Sequence, residues 1–400
     1  MQANHIRLVL CVSLLAVTFS AAAQEANSLE ALEEYITSSM AEHHVAGLSV
    51  VVVQGDTVRW SKAYGYADVD RKKPFSTRSI LNIGSVSKTF TAAAIMQLWE
   101  RELIGLDEDI NVYLPISVRN PAYPETAITV RHLLTHTSSI RDNEAYGQSY
   151  LCGDPEISLQ DWISAYFLPG GAYYDATQNF AAHPPGAEGA YSNLGFGVLG
   201  LIVEEVSGMP FPAYCRQHLF EPLDMDNTGW YLNEVDTSTH ALPTIFIEEE
   251  IKAMVETGIP KLVPEFRAAD PATDYYLGTC LYSFPNYPDG ALRTSVDQLA
   301  HYLMALMRGG EYAGRQILQP ETISAMWSLQ YDHDAQGLCW WIWTFEEAPP
   351  MWGHGGDDPG VIAGIFIEPK TRLGIAFLAN SNNVNRSRLV EKIYAAVAGE

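Results

Sequence analysis

The chain has 400 residues, with 24 lysines and arginines against 48 aspartates and glutamates, a formal net charge of −24. A field of that sign repels nucleic acid and anionic membrane surfaces and disfavours highly anionic substrates. Hydrophobic residues make up 47% of the chain, enough for a sizeable core in one large domain or two smaller ones.

Residues 1–23 read as an export signal. Arg7 supplies the positive end, Leu8 to Phe19 the apolar run, and Ala21-Ala22-Ala23 the small-residue site before Gln24. That run is shorter than the roughly 20 residues a membrane span needs. The later apolar stretch Val361–Leu378 is broken by Glu368-Pro369-Lys370-Thr371-Arg372, and Cys11 follows no small-residue lipidation box. We therefore expect a periplasmic or secreted protein with no stable membrane anchor. Beyond the leader, residues 24–400 read as one domain.

Leu29 to Glu42 has the pattern of an amphipathic helix with Ser28 as its cap. Gly47–Gln54 and Thr57–Tyr66 are β-rich runs joined at Gly55-Asp56, a hairpin signal. Next comes Gly84-Ser85-Val86-Ser87-Lys88, opening a Gly- and Pro-free run to Trp99 that is apolar around most of its circumference, as a buried helix is. Ser85 falls at its start, where free N–H groups and the dipole favour negative charge, and Lys88 lies one turn on along the same face. An amine beside a serine can take the proton of an attacking alcohol. The plainer alternative is a helix cap and a solvated lysine, but a lysine on an Ala-rich apolar turn is costly to bury without a partner.

From Ser85 to about residue 330 helices and loops dominate. Ser139–Gly189 and Asn233–Gly290 read as long irregular pieces, in which Tyr173, Tyr174, Tyr275, Tyr276, Tyr282 and Tyr287 either line a substrate cleft or cover the surface. Tyr191-Ser192-Asn193 follows Pro184-Pro185-Gly186 and opens a helix, Leu194 to Val206, ended by Gly208. Tyr231-Leu232-Asn233 has the same spacing without that setting. Gly195-x-Gly197-x-x-Gly200, with Glu221 beyond, matches a dinucleotide fingerprint, but no strand precedes it, so close helix packing is the better reading and no cofactor is expected. Strands return at Leu338–Phe345, Val361–Ile367 and Leu373–Leu378, and Arg388 to Val397 closes the chain as a helix. Trp352-Gly353-His354-Gly355-Gly356-Asp357 reads as a glycine-rich segment just before a strand, where backbone N–H groups can face a developing oxyanion.

Strands at both ends with helices between predict an α+β fold: one antiparallel sheet from both chain ends, flanked by terminal helices, with an inserted helical subdomain. The sheet part covers about 27–84 and 291–400, the helical part about 85–290. Of the four cysteines after the leader, Cys152 and Cys280 lie in loop-rich segments and are the favoured bridge, with Cys215 and Cys339 as buried thiols, although three pairings are open. His43-His44 reads as a solvated helix end, and no metal site is expected.

Taken together and in order, Ser85-x-x-Lys88, Tyr191-x-Asn193 and His354-x-Gly356 resemble the three motifs of the serine β-lactamase and penicillin-recognising family, and most closely its class C, D-alanyl-D-alanine carboxypeptidase and esterase branch. The likeness runs over nearly the whole mature chain, including Arg131–Ser138 and Thr294–Leu299. It implies Ser85 as the acylated nucleophile, Lys88 as its activator and Tyr191 as the group that takes and returns the serine proton; whether Tyr191 or Lys88 is the base stays open. It further implies that Asn193 holds Lys88 or a substrate amide, and that His354, Gly355 and Gly356 form a substrate-binding edge. The implied oxyanion hole is the N–H groups of Ser85 and Asp357.

Two departures from the family pattern matter. His354 stands where class C β-lactamases carry a lysine, and a histidine of pKa about 6.5 is mostly neutral at pH 7. Asp357 and Asp358 add negative charge beside it. Both weaken the case for β-lactam hydrolysis and favour an uncharged ester, amide or peptide substrate. The second departure, Ser139 where glycine is usual, affects loop geometry only. The expectation is an acyl-enzyme esterase or small-amide hydrolase; the alternatives are a D-alanyl-D-alanine carboxypeptidase or weak β-lactamase, and a non-catalytic penicillin-binding or scaffold protein.

Overall fold

The computed structural model describes residues 28–246, 276–331 and 335–397, so the expected export signal lies outside the described residues. A seven-stranded antiparallel sheet carries the architecture. Its strands are β1 (Gly47–Gln54), β2 (Thr57–Asp68), β3 (Lys73–Pro74), β4 (Trp341–Trp343), β5 (Met351–Asp358), β6 (Val361–Glu368) and β7 (Leu373–Ala379). The order across the sheet is β4-β5-β6-β7-β1-β2-β3, so both chain ends build it. The seam between them is β1 against β7, registered from Leu48 opposite Ala379 to Gln54 opposite Leu373.

The continuous apolar run of β1 follows from this central place. Val50 and Val52 face one core and Val51 and Val53 the other. A helix over residues 28–42 (α1) and the closing helix Arg386–Val397 (α5) supply Leu32, Ile36, Leu389 and Ile393 to the first core. The Ser28 hydroxyl donates to the Ala396 carbonyl and ties these two helices together. The second core packs the opposite face against α4 (Val296–Met307) and the helical region, built around α2 (Ser87–Glu100) and α3 (Asn193–Ser207).

Three local readings change. The segment Ser139–Gly189 is not structureless: Leu159–Phe167 forms a helix whose Ser158 cap accepts from the Asp161 N–H and whose Leu159, Trp162, Ile163, Tyr166 and Phe167 are buried. The strand expected over Leu338–Phe345 shrinks to Trp341–Trp343, because Cys339 takes a left-handed φ of 73°. The glycine-rich third motif lies on strand β5 itself, not before a strand.

Cys152 and Cys280 are bonded, at a sequence separation of 128, and Cys215 and Cys339 are buried free thiols. The bridge clips a short ladder in which Leu151–Cys152 pairs with Tyr282–Ser283. Closing so long a loop removes much unfolded-chain entropy, so reduction is expected to lower stability by about 2–5 kcal/mol. Thermal unfolding with and without dithiothreitol measures this; an unchanged midpoint would contradict it.

Candidate active site

Gly84, at φ 50°, turns the chain from a short strand into the 3-10 turn Gly84–Val86, and α2 follows from Ser87. A side chain at Gly84 would put a Cβ 2.9 Å from the Asp357 nitrogen, so the turn lies directly against β5. Lys88 has no exposed surface. Its ammonium donates to Ser85 Oγ at 3.0 Å, Asn193 Oδ1 at 2.7 Å and the Asp289 carbonyl at 2.8 Å, with Asp289 Oδ2 at 3.5 Å. Three protons find three good acceptors, which answers the cost of burying the amine. Burial alone would lower the Lys88 pKa, but Tyr191, Asp289 and Asp142 together reverse that and the net direction is upward.

Tyr191 lines an open cleft and keeps 47% of its surface exposed. The surrounding protein raises its pKa, while Lys88 and Ser85, by charge and hydrogen bonding, draw it back down. The ring stacks on His136 at 4.1 Å, and Lys88 Nζ lies 5.0 Å from its centroid.

Asn193 opens α3, capped by Ser192, whose hydroxyl accepts from the Gly195 N–H. The carboxylate that holds this helix start is Asp142. It accepts from Asn193 N at 3.0 Å, Asn193 Nδ2 at 2.8 Å, Leu194 N at 3.0 Å and Ser192 Oγ at 3.3 Å. By taking one Nδ2 proton it turns Asn193 Oδ1 toward Lys88, and its charge suits a helix N-terminus. The α3 glycines do pack closely: a Cβ at Gly197 would sit 1.9 Å from Asn286 Oδ1 and one at Gly200 2.5 Å from Pro288 Cγ. That fit seats the turn carrying Asp289 beside Lys88.

Strand β4 pairs with β5 only from Met351 to Gly353, which leaves the β5 edge beyond it to face the Gly84–Val86 turn. His354 is buried, and its Nδ1 lies 2.6 Å from the Gly355 carbonyl oxygen. A carbonyl only accepts, so Nδ1 carries the proton and Nε2, which has no partner among the described residues, keeps its lone pair. Burial, then the Lys88 charge, pushes the His354 pKa down to about 3. Gly355 leaves room for the Arg386 guanidinium, which pairs with Asp357 at 2.8 Å. Ser139 takes φ 61°, the conformation a glycine would adopt there, and its hydroxyl accepts from Asn120 Nδ2.

Ser85, Tyr191, Asn193, His354, Gly355 and Asp357 all line one cleft of about 670 Å³, with Lys88 behind Ser85 and Gly356 against Ile83. The cleft's tyrosines are other than those for which a cleft wall was one of two open readings. Tyr146 and Tyr150 line the cleft, whereas none of Tyr173, Tyr174, Tyr276, Tyr282 and Tyr287 does, and Tyr275 lies outside the described residues. Sequence reasoning also missed Asp142, Asp289 and Arg386. Asp289 sits in Tyr287-Pro288-Asp289-Gly290, which signals a turn and nothing more.

The buried ionisable groups make acid stability distinctive. Burial depresses His136, His240 and His354, the last two to about 3, and it raises Asp289 to about 6 and Asp358 to about 7. The histidines contribute stability that is present above about pH 6.5 and lost as pH falls toward 3. The carboxylates contribute stability that is complete below about pH 3.9 and lost as pH rises through 6 to 7. From about pH 6 to 4 the two trends oppose; below about 4 only the histidine loss remains, each group contributing about 1.4 kcal/mol per pH unit. The unfolding midpoint should fall gently from pH 6 to 4 and steeply below, as calorimetry across that range would record. An equally steep fall above pH 4 would contradict the assignment.

A serine bonded to a buried lysine, facing a tyrosine and a glycine-rich edge of an antiparallel sheet, is the arrangement a serine hydrolase needs to form an acyl-enzyme. The Beta-lactamase family model matches residues 32–400, and the chain belongs to that family. Protein flp of Staphylococcus aureus (strain MRSA252) is 24% identical over 372 residues, covering 92% of this chain and 66% of that protein. Penicillin-binding protein 4* of Bacillus subtilis (strain 168) is 27% identical over 194 residues, 48% of this chain and 40% of that protein. The chain thus spans less than two thirds of either curated relative's length. Among solved structures, the octameric penicillin-binding protein homologue from Pyrococcus abyssi superimposes with a TM-score of 0.71 at 26% identity, over 93% of this chain and 78% of that one.

Proposed function

We propose that this protein is an exported serine hydrolase that acts on an ester or small amide through an acyl-enzyme on Ser85. The observation that carries the reading is the bonded set Ser85, Lys88, Asn193 and Asp289 opening onto the cleft beside Tyr191. In the acylation step Ser85 Oγ bonds to the substrate carbonyl carbon and its proton passes to Tyr191 in its phenolate form, which the charge of the neighbouring Lys88 ammonium favours. The N–H groups of Ser85 and Asp357 receive the oxyanion. Tyr191 returns the proton to the departing alcohol or amine as the carbonyl's bond to it breaks. Water then attacks the Ser85 ester, and the same phenolate carries its proton to Ser85 Oγ as the acid leaves. The Cys152–Cys280 bridge supports export, since such bonds persist in oxidising compartments.

The neutral His354 favours an ester or small amide over a β-lactam or a D-alanyl-D-alanine stem peptide, each of which brings a carboxylate. Arg386 is a cation at the cleft, but Asp357 and the Gly356 and Ala363 carbonyls engage it. Intact-mass measurement with p-nitrophenyl acetate, penicillin and a D-alanyl-D-alanine peptide tests the reading. A transient acetyl adduct with turnover supports it. A long-lived penicillin adduct or D-alanine release without ester turnover would move the assignment to the carboxypeptidase branch, and a Ser85 inert to all three would make the chain a non-catalytic binder.

A further inference from the structure

The cleft is unequal in its charges. Asp357 is paired with Arg386 at 2.8 Å, and Asp289 has Lys88 at 3.5 Å. Asp358, the next residue along β5, has no ion-pair partner among the described residues, although it lines the same cleft. Its Oδ1 accepts from the Tyr150 hydroxyl at 2.6 Å and its Oδ2 from Asn82 Nδ2 at 3.2 Å. Nearby, the Tyr146 hydroxyl is likewise spent on Asp289 Oδ2 at 2.7 Å.

A second observation is independent of these carboxylates. His354 is 4% exposed, lines the cleft and keeps Nε2 without a partner among the described residues. With its proton on Nδ1, that nitrogen keeps a buried lone pair with no donor among the described residues. The Tyr146 and Tyr150 hydroxyls are spent on carboxylates, and Lys88 and Arg386 are engaged with Asp289 and Asp357, so neither cation is left to Asp358. Asp358 is half-buried, and a carboxylate that lines a cleft without a cation is relieved by a ligand that brings one. Burial raises Asp358 to about 7, with Asp289 adding to the rise and Lys88 opposing it, in keeping with a carboxylate that lacks a counter-charge.

We propose that the Asp358–Tyr150 end of the cleft is a subsite for a primary ammonium group, so that the preferred substrates are amino-substituted esters or small amides. Asp358 follows Asp357 by one residue, roughly 3.3 Å along a strand. The ammonium therefore sits within a few bonds of the scissile carbonyl. The acidic surface adds long-range attraction for such a substrate.

This inference rests on the acyl-enzyme reading, and the experiment separates the two. Using the full chain, kcat/KM is measured for the p-nitroanilides of alanine and β-alanine against their des-amino isosteres, and for 2-aminoethyl against propyl esters, with p-nitrophenyl acetate as the reference acylating agent. An advantage of roughly tenfold or more for either ammonium series, the size of one charge-assisted hydrogen bond, falling toward unity in Asp358→Asn, is the expected result. Acetylation of Ser85 with no ammonium preference overturns the subsite and leaves the hydrolase reading standing. A preference that persists in folded Asp358→Asn also overturns it. If Asp358→Asn does not fold, competition decides: propylammonium should inhibit p-nitrophenyl acetate turnover better than propanol, and equal inhibition would overturn the subsite. Absence of any acylation defeats the hydrolase reading and this inference together.

Discussion

Ser85→Ala should abolish acyl-enzyme formation and lower ester turnover by roughly a thousandfold or more, the scale seen when a covalent nucleophile is removed. The change deletes one hydroxyl at the end of a turn and leaves the hydrogen bonds from Lys88 to Asn193 and the Asp289 carbonyl in place. The Lys88 proton that loses its acceptor should cost about 1–3 kcal/mol, less than the loss of turnover, so the variant separates chemistry from folding. Lys88→Met should cut turnover on a similar scale and also destabilise the fold. It strands the Asp289 carboxylate, 2% exposed, without its cation, and breaking a buried pair from one side costs about 3–5 kcal/mol. Burst kinetics with p-nitrophenyl acetate and calorimetry on both variants check the pair of results. Turnover in Ser85→Ala equal to the parent would dismiss Ser85 as the nucleophile.

Gly356→Ala should be the most damaging of the conservative substitutions. A Cβ there would lie 2.1 Å from the Ile83 carbonyl oxygen and 3.3 Å from the Ala363 side chain. The first contact is with backbone, so no rotamer relieves it, and either β5 or the Gly84–Val86 turn has to move. Overpacking of this kind costs roughly 1–3 kcal/mol, occasionally more. The displacement also falls between the N–H groups of Ser85 and Asp357, so acylation should drop about a hundredfold, as when one oxyanion donor is lost. Gly147→Ala is the control: nothing lies within 4 Å of the added methyl, which extends the helix Glu144–Gln148. It should be neutral or stabilising by about 0.4–1 kcal/mol. Equal behaviour of the two variants in thermal unfolding would show that the close approach of β5 to the turn does not matter.

Much was legible in the chain because it depends on local pattern. The β-rich composition and length of the runs at Gly47–Gln54, Val361–Ile367 and Leu373–Leu378, set against a helical middle, were enough for a sheet drawn from both ends. Ser85, Lys88, Tyr191 and Asn193 announced themselves through spacing and flanking turn residues, and the cysteine pair through its loop context. The third motif was misplaced because glycine disfavours strands when neighbours are ignored. Here Gly353, Gly355 and Gly356 each leave space that Phe366, Arg386 and Ile83 fill, so packing overrides propensity.

What the sequence by itself determined is therefore the sheet, the core helix and the residue types the chemistry needs, since each is encoded by neighbours a few positions apart. Only the tertiary structure decided that Asp142 orients Asn193, that Asp289 holds Lys88, that Tyr146 and Tyr150 wall the cleft, and that Asp358 stands there without a cation. Those relations join residues 51 to 208 positions apart. Hydrogen bonds and charges act through distance in space, and along the chain such partners leave no periodic trace.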